Sequence, residues 1–278
     1  MAIIVISEPI VSVEWLHSNL DAENLIVLDA SIKKVGGGDN DSKSELQIPK
    51  ALFFDLKETF SDVLAPFPTT FPSEDQFTKG AQSLGINADS AIVIYDDKGI
   101  YSSARAWWMF KAMGHNNVAV LNGGLPKWID VGFGTEFKSH YKSPKGNFVA
   151  HYNPELMKYF SDVKSASSKK SHIIIDARSE ARFKSLEPEP RLGLRSGTIP
   201  NSLNLPFEDL LEEDYQLISK NLIANKFDSL VKKEEAIIFS CGSGITACVL
   251  ALGAELSGYK NISVYDGSWT EWGSLVPE

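Results

Sequence analysis

Six short apolar runs punctuate this chain, and segments of helical character separate them. They lie near residues 25–29, 91–95 and 118–121, then near 172–176, 236–240 and 262–265. Ala91–Tyr95 (AIVIY) and Ala236–Phe239 (AIIF) carry no charge and no polar alternation. Runs of that length and composition read as strands buried on both faces. Thr246–Leu256, rich in alanine and leucine and free of proline, reads as a helix directly after one of them. Strands joined through helices imply right-handed crossovers and a mainly parallel sheet. In such α/β sheets, sites form beyond the carboxyl ends of the strands.

The pattern occurs twice. LIVLDAS resembles IIIDARS, QIPKALFFDL resembles TIPNSLNLPF, AIVIYD resembles AIIFSC, and NGGLPKW resembles DGSWTEW. These matches pair Asp29 with Asp176, Pro49 with Pro200, Asp96 with Cys241 and Gly123 with Gly267, at separations of 144 to 151 positions. Four matches in one order at a nearly constant spacing point to a tandem duplication. The polar segment 135–156, with two prolines, lies between the copies. The expected halves are residues 1–138 and 151–278, with 139–150 as linker. The tract VGGGDNDSKSE, residues 35–45, is expected to be a flexible loop in the first half.

Composition narrows the function. The 278 residues are 43% apolar and 23% charged, enough for sizeable cores. A net charge of −9 argues against nucleic acid or an anionic membrane as a partner. The N-terminal MAIIVISEP is too short in apolar residues for a signal sequence or a membrane span. Two cysteines are too few for a disulfide scaffold. If both lie near one helix, seven residues separate them by roughly 10 Å, beyond the ~7 Å Cα limit of a disulfide. A reduced, cytoplasmic protein is expected.

Cys241 carries the candidate chemistry. It sits where a strand ends and the loop Gly242-Ser243-Gly244 leads into a helix. Small residues there leave backbone N–H groups free to stabilise an anion, aided by the positive helix end. A thiolate held in that way is a usable nucleophile. The glycines permit the tight curl, Ser243 adds a hydroxyl, and Thr246 is expected to cap the helix. Cys248 lies inside the helix and is expected to be core. The first half has Asp96 where the second has Cys241, so it is expected to be catalytically silent.

Several cysteine chemistries are disfavoured. A tyrosine-phosphatase loop needs an arginine where this chain has Ala247; a thioredoxin-like site needs a second loop cysteine; a cysteine protease needs a histidine base, and none of the five histidines falls in a recognisable signature. A persulfide, whose anion stays bound in the loop, fits.

CGSGITA followed by VYDGSWTEW resembles the active-site region of the two-domain rhodanese-like sulfurtransferases, and most closely the 3-mercaptopyruvate branch. VSVEWL, ALFFDL, GIYSSARAWWMFKAMGH, LNGGLPKW, DARSEARF, EPEPR and IPNSLNLPF follow in that family's order. The resemblance implies two tandem α/β rhodanese-like domains, each a mainly parallel sheet flanked by helices. It also implies that Cys241 takes sulfur from a small-molecule donor as a covalent persulfide. The N–H groups of Gly242, Ser243, Gly244, Ile245 and Thr246 would hold it, and a thiol, thioredoxin or cyanide would accept it, with no cofactor and no metal.

By motif, Arg182 of SEARF and Arg191 of EPEPR would bind the donor's carboxylate and carbonyl, which suits a planar guanidinium. Arg178 is expected to pair with Asp176 as a structural residue. Relatives that prefer thiosulfate carry two basic residues after the cysteine. Here Gly242 and Ser243 are uncharged, which favours mercaptopyruvate, and Ser243 matches a loop serine implicated in proton transfer. Two departures stand out. The first half lacks the histidine of the proposed Ser-His-Asp relay, whose place falls on Thr69 or Thr70, and Thr198 replaces a histidine in SGTIP. Thiosulfate as donor, or a sulfur-carrier or redox-sensing module, remain as alternatives. The tryptophans Trp107, Trp108, Trp128, Trp269 and Trp272 are expected to be core.

Overall fold

The computed structural model describes residues 3–34, 45–139, 141 and 143–277. The first half supplies strands β1 (Ile10–Val11), β2 (Leu25–Asp29), β3 (Leu46–Gln47), β4 (Leu52–Phe53), β5 (Ala91–Tyr95), β6 (Val118–Leu121) and β7 (Glu136–Phe137). Its helices are α1 (Val13–Asn19), α2 (Glu74–Ser83), α3 (Ser103–Ala112) and α4 (Gly124–Asp130). The second half supplies β8 (Met157–Lys158), β9 (Ile173–Asp176), β10 (Ser202–Asn204), β11 (Ile237–Ser240) and β12 (Ile262–Tyr265). With them come α5 (Phe160–Lys169), α6 (Glu180–Phe183), α7 (Lys220–Asp228), α8 (Ala247–Leu256) and α9 (Ser268–Leu275). All six apolar runs form strands.

Strand order is β1-β6-β5-β2-β4 in one sheet and β8-β12-β11-β9-β10 in the other, every pair parallel. Position for position this is one topology used twice. The strands β5 and β11 are each central, and every residue in them is buried, as their uninterrupted apolar sequences require. β3 and β7 form a small antiparallel ribbon apart from the sheets.

The halves meet through the helices that follow these central strands. Residues 247–254 of α8 are all buried, and so is every residue of α3 except Lys111. A helix apolar on every side needs protein on every side. These two pack on each other, and their residues join one core running through both sheets. Val249, Leu250 and Leu252 are wholly buried, contributing roughly 1.5–3 kcal/mol apiece. The five tryptophans expected in the core are all buried, Trp107 and Trp108 in this shared core and Trp128, Trp269 and Trp272 in the clusters on the sheets' other faces.

Of the segment read as a linker, residues 143–150 form no helix or strand but lie strapped to the first half. The amide of Gly146 donates to Gln82 O at 2.9 Å and that of Phe148 to Ile86 O at 3.1 Å, and Phe148 and Ala150 are buried. Of the tract expected to be a flexible loop, residues 35–44 lie outside the described residues.

Candidate active site

β11 ends at Ser240 and α8 begins at Ala247, leaving Cys241–Thr246 as the loop beyond the carboxyl end of a central strand. Gly244 has φ +73°, and a Cβ there would stand 2.5 Å from the carbonyl oxygen of Asp266. Only glycine meets both demands.

The loop's carbonyl oxygens are held from outside. Cys241 O accepts from Trp269 N at 2.9 Å, and Gly242 O accepts from Thr270 N at 2.9 Å and Thr270 Oγ1 at 2.6 Å. Both carbonyls therefore face the first turn of α9. Ser243 O accepts from Thr69 Oγ1 of the first half at 2.9 Å. Gly244 O accepts from Cys248 Sγ at 3.3 Å and Arg105 Nη1 at 3.4 Å.

The amides divide into two sets. Those of Cys241 and Gly244 donate to Ser268 Oγ at 3.0 and 3.1 Å. Those of Gly242, Ser243, Ile245 and Thr246 have no acceptor among the described residues, and the same four residues line a cavity of about 70 Å³ with Cys241. Unpaired amides around a buried sulfur form an anion cradle. Gly244 departs from the expectation that its N–H belongs to that cradle. Ser268 has already taken it, and Gly244 contributes its left-handed turn. Thr246 departs as well. It occupies the helix N-cap position, yet its own backbone is helical and its side chain caps nothing.

The predicted arginines reach the same cavity on unequal terms. Arg182 Nη2 donates to Glu189 Oε2 at 2.6 Å, and Glu189 Oε1 accepts from Arg178 Nη1 at 2.6 Å. Arg178 in turn grips Asp176 at the end of β9 through Nε and Nη2, as the sequence suggested, and lies 4.7 Å from the Trp269 ring centroid. Arg182 leans over the loop, and a Cβ on Gly242 would stand 3.1 Å from its Nη2. Arg191 is half-buried, and its guanidinium has no hydrogen-bond or ion-pair partner among the described residues. Burial holds it below the usual arginine range, and the charge of Arg182 adds to this. The cavity adjoins a cleft of about 510 Å³ lined by Arg191, Ser243 and Ile245 from one half and by Lys33, Lys57 and Pro66–Thr69 from the other.

Cys241 and Cys248 are both free and buried. Burial pushes the Cys248 thiol up to about 12, with the nearby Arg105 only partly opposing it, so Cys248 is a core residue and not a nucleophile at neutral pH. No group of three or more His, Cys, Asp or Glu is placed to hold a metal among the described residues.

The equivalent loop of the first half is filled from within. Asp96 is fully buried; its Oδ1 accepts from Lys98 N at 2.9 Å, and its Oδ2 from Tyr101 N and Ser103 N at 2.8 Å each. Its outer side is closed by the second half, where a Cβ on Gly99 would stand 2.2 Å from Tyr215 Cβ.

Ser268 is the residue that the sequence reading missed. Its φ is +49°, and its repeat partner Gly124 has φ +55°. A signal existed, since aligning DGSWTEW with NGGLPKW sets a serine opposite a left-handed glycine. Serine tolerates that backbone poorly, and here its hydroxyl carries two loop amides.

Comparison with known proteins places these features in context. The rhodanese-like domain family matches residues 12–130 and 160–275. A protein of Arabidopsis thaliana named thiosulfate/3-mercaptopyruvate sulfurtransferase 1, mitochondrial, is 38% identical over 96% of this chain and 76% of its own length. The 3-mercaptopyruvate sulfurtransferase of Escherichia coli (strain K12) is 37% identical over 95% of this chain and 94% of its own. Among solved structures, SseA from Escherichia coli, described as a 3-mercaptopyruvate sulfotransferase with the rhodanese fold, superposes with a TM-score of 0.83 at 33% identity. That match covers 95% of this chain and 99% of SseA.

Proposed function

Since this chain belongs to the rhodanese-like family and is a sulfurtransferase with two such domains, we propose that Cys241 carries the transferred sulfur and that 3-mercaptopyruvate is the donor its pocket favours. The Cys241 thiolate attacks the donor's sulfur, an S–S bond forms, and the donor's C–S bond breaks. The electron pair of that bond goes to the carbon, which takes up the thiol's proton and leaves as pyruvate. Cys241 keeps the sulfur as Cys–S–S⁻. Transfer of that outer sulfur to an acceptor thiolate, a thioredoxin or cyanide restores the cysteine. No cofactor or metal enters the scheme.

One observation carries the reading: the four loop residues whose amides have no acceptor among the described residues line one small cavity with the buried cysteine, while the loop's carbonyls are engaged elsewhere. The unpaired Arg191 supports a donor with a carboxylate, and the uncharged Gly242 and Ser243 support a monoanion over dianionic thiosulfate. Arg182 is assigned to the donor's other oxygens. Ser243, whose hydroxyl bonds to no other described residue, is assigned to proton transfer. The first half, with Asp96 in place of the cysteine, is assigned a supporting role. A cytoplasmic home is proposed on the two free thiols; no helix among the described residues is long and apolar enough to cross a membrane.

Intact-mass measurement after exposure to 3-mercaptopyruvate, and in parallel to thiosulfate, tests this. The wild-type chain gains one sulfur on Cys241 and Cys241→Ser gains none. Sulfur on Cys248, or on no residue with either donor, overturns the assignment. Faster loading from thiosulfate overturns the choice of donor.

A further inference from the structure

We propose that Thr69, in the half without the cysteine, is a positioning residue for the sulfur-carrying loop; this rests on the reading of Cys241 given above. Thr69 stands 174 positions from Ser243 in sequence, and its Oγ1 lies 2.9 Å from Ser243 O. A hydroxyl has a single proton, and among the described residues Pro68 O, at 2.6 Å, is the other acceptor in reach. Donation to Pro68 O stays within adjacent residues, whereas donation to Ser243 O joins the two halves, and that second bond is the one proposed to position the loop.

The Ser243–Gly244 peptide is thereby held at both ends. Its oxygen faces Thr69, and its N–H faces Ser268 Oγ at 3.1 Å. A peptide unit is planar, so two anchors fix its orientation. This peptide is also one that can turn over. Gly244 has φ +73°, and β-turns of types I and II, which differ in the sign of φ at the third residue, interconvert by rotation of the peptide before it. Turned over, that peptide would swing Ser243 O away from Thr69, toward the side lined by the unpaired amides, where it would repel a sulfur anion. The Thr69 hydroxyl opposes this rotation.

Thr69 is itself held firmly. Its φ is +59°, a costly backbone for a β-branched residue. Its carbonyl accepts from Arg105 Nη2 at 3.1 Å, and the same nitrogen donates to Asp266 Oδ1 at 2.6 Å in a buried ion pair. Asp266 Oδ2 accepts from Phe71 N at 2.8 Å. The strained residue is thus tied, through its carbonyl and the next turn of chain, to an ion pair that also touches the cysteine loop, since Arg105 reaches Gly244 O. Backbone strain persists where surrounding contacts over-determine it, and function is the usual reason.

The test uses the full chain and two variants, with sulfur uptake by Cys241 timed by intact mass in 3-mercaptopyruvate and in thiosulfate. Thr69→Val keeps the shape and the backbone strain but removes the proton. Its loading rate and kcat fall about three- to tenfold, the worth of one hydrogen bond, while the donor KM holds. Thr69→Ser keeps the proton and returns most of the rate. Both variants melt within a few degrees of wild type, so the rate does not follow stability. A Thr69→Val chain that loads at the wild-type rate overturns the proposal alone, as does a Thr69→Ser chain as slow as Thr69→Val. A wild-type chain that takes up no sulfur at Cys241 overturns both this proposal and the reading beneath it.

Discussion

Replacing Arg191 and Arg182 by alanine separates two residues that sequence motifs treat alike. Arg182 is already paired with Glu189 at 2.6 Å, whereas Arg191 lines the cysteine cavity without a hydrogen-bond or ion-pair partner among the described residues. A charge-assisted pair with a donor carboxylate is worth about 1.5–3 kcal/mol, so Arg191→Ala should raise the KM for 3-mercaptopyruvate about 10- to 150-fold. Stability should not fall, because the substitution removes a half-buried cation whose burial outweighs the nearby negative groups. Arg182→Ala should do the reverse. It strips one of two cations from Glu189, whose side chain is 1% exposed, at a cost of about 1–3 kcal/mol, with a smaller change in donor KM. Arg191→Lys restores charge but not the planar fork, and so recovers part of the affinity. Steady-state rates with both donors at a fixed acceptor concentration, run beside thermal unfolding, read all of this. An Arg191→Ala chain with unchanged KM, or an Arg182→Ala chain that keeps wild-type stability and loses more donor affinity, would refute the reasoning.

Two further outcomes follow from the loops. Ser268→Ala leaves two buried amides without an acceptor, costing about 2–4 kcal/mol and lowering the melting temperature by roughly 5–15 °C. Ser268→Gly relieves the backbone at φ +49° yet loads sulfur no faster than Ser268→Ala, and mass measurement on the pair checks this. Asp96→Ala exposes three amides to an empty hole and destabilises by about 3 kcal/mol or more. Thermal unfolding should show partial recovery with a small anion such as chloride, and a melting temperature indifferent to the anion would contradict the picture.

The central strands were legible because AIVIY and AIIF leave no face for water, and the duplication because its matches kept one spacing. Cys241 was legible because a strand, a glycine-bearing loop and a helix meet there. What sequence could not separate was Arg182 from Arg191, since the difference lies in which guanidinium the side chain of Glu189 reaches after the EPEPR loop closes. Thr69 was visible only as a missing histidine. Its bond to Ser243 exists because two halves dock, and no local pattern records docking. Arg105 did leave a trace: a cation inside the apolar SARAWW helix demands a buried counter-charge, which is Asp266, 161 positions away. The segment 139–150 reads as a linker because its polar residues outnumber Phe148 and Ala150, the two whose side chains are buried among the described residues, and its backbone bonds to the first half leave no pattern in the sequence.

The two loops meet one electrostatic demand in different ways. Counting on from Asp96 and from Cys241, Lys98 corresponds to Ser243 and Tyr101 to Thr246. The amides of Lys98 and Tyr101 hold the Asp96 carboxylate at 2.9 and 2.8 Å, while those of Ser243 and Thr246 have no acceptor among the described residues. An aspartate oxygen lies two bonds beyond Cβ. So does the outer sulfur of a cysteine persulfide, whereas a bare thiolate lies one bond beyond it. The first half thus shows, in its own carboxylate, the reach at which these loop amides bind a negative atom. On the proposal that Cys241 carries the sulfur, the second loop then suits the loaded cysteine more than the free one. Under that reading, loading gains amide contacts that the empty loop lacks, from positions equivalent to those that hold Asp96 in the first half.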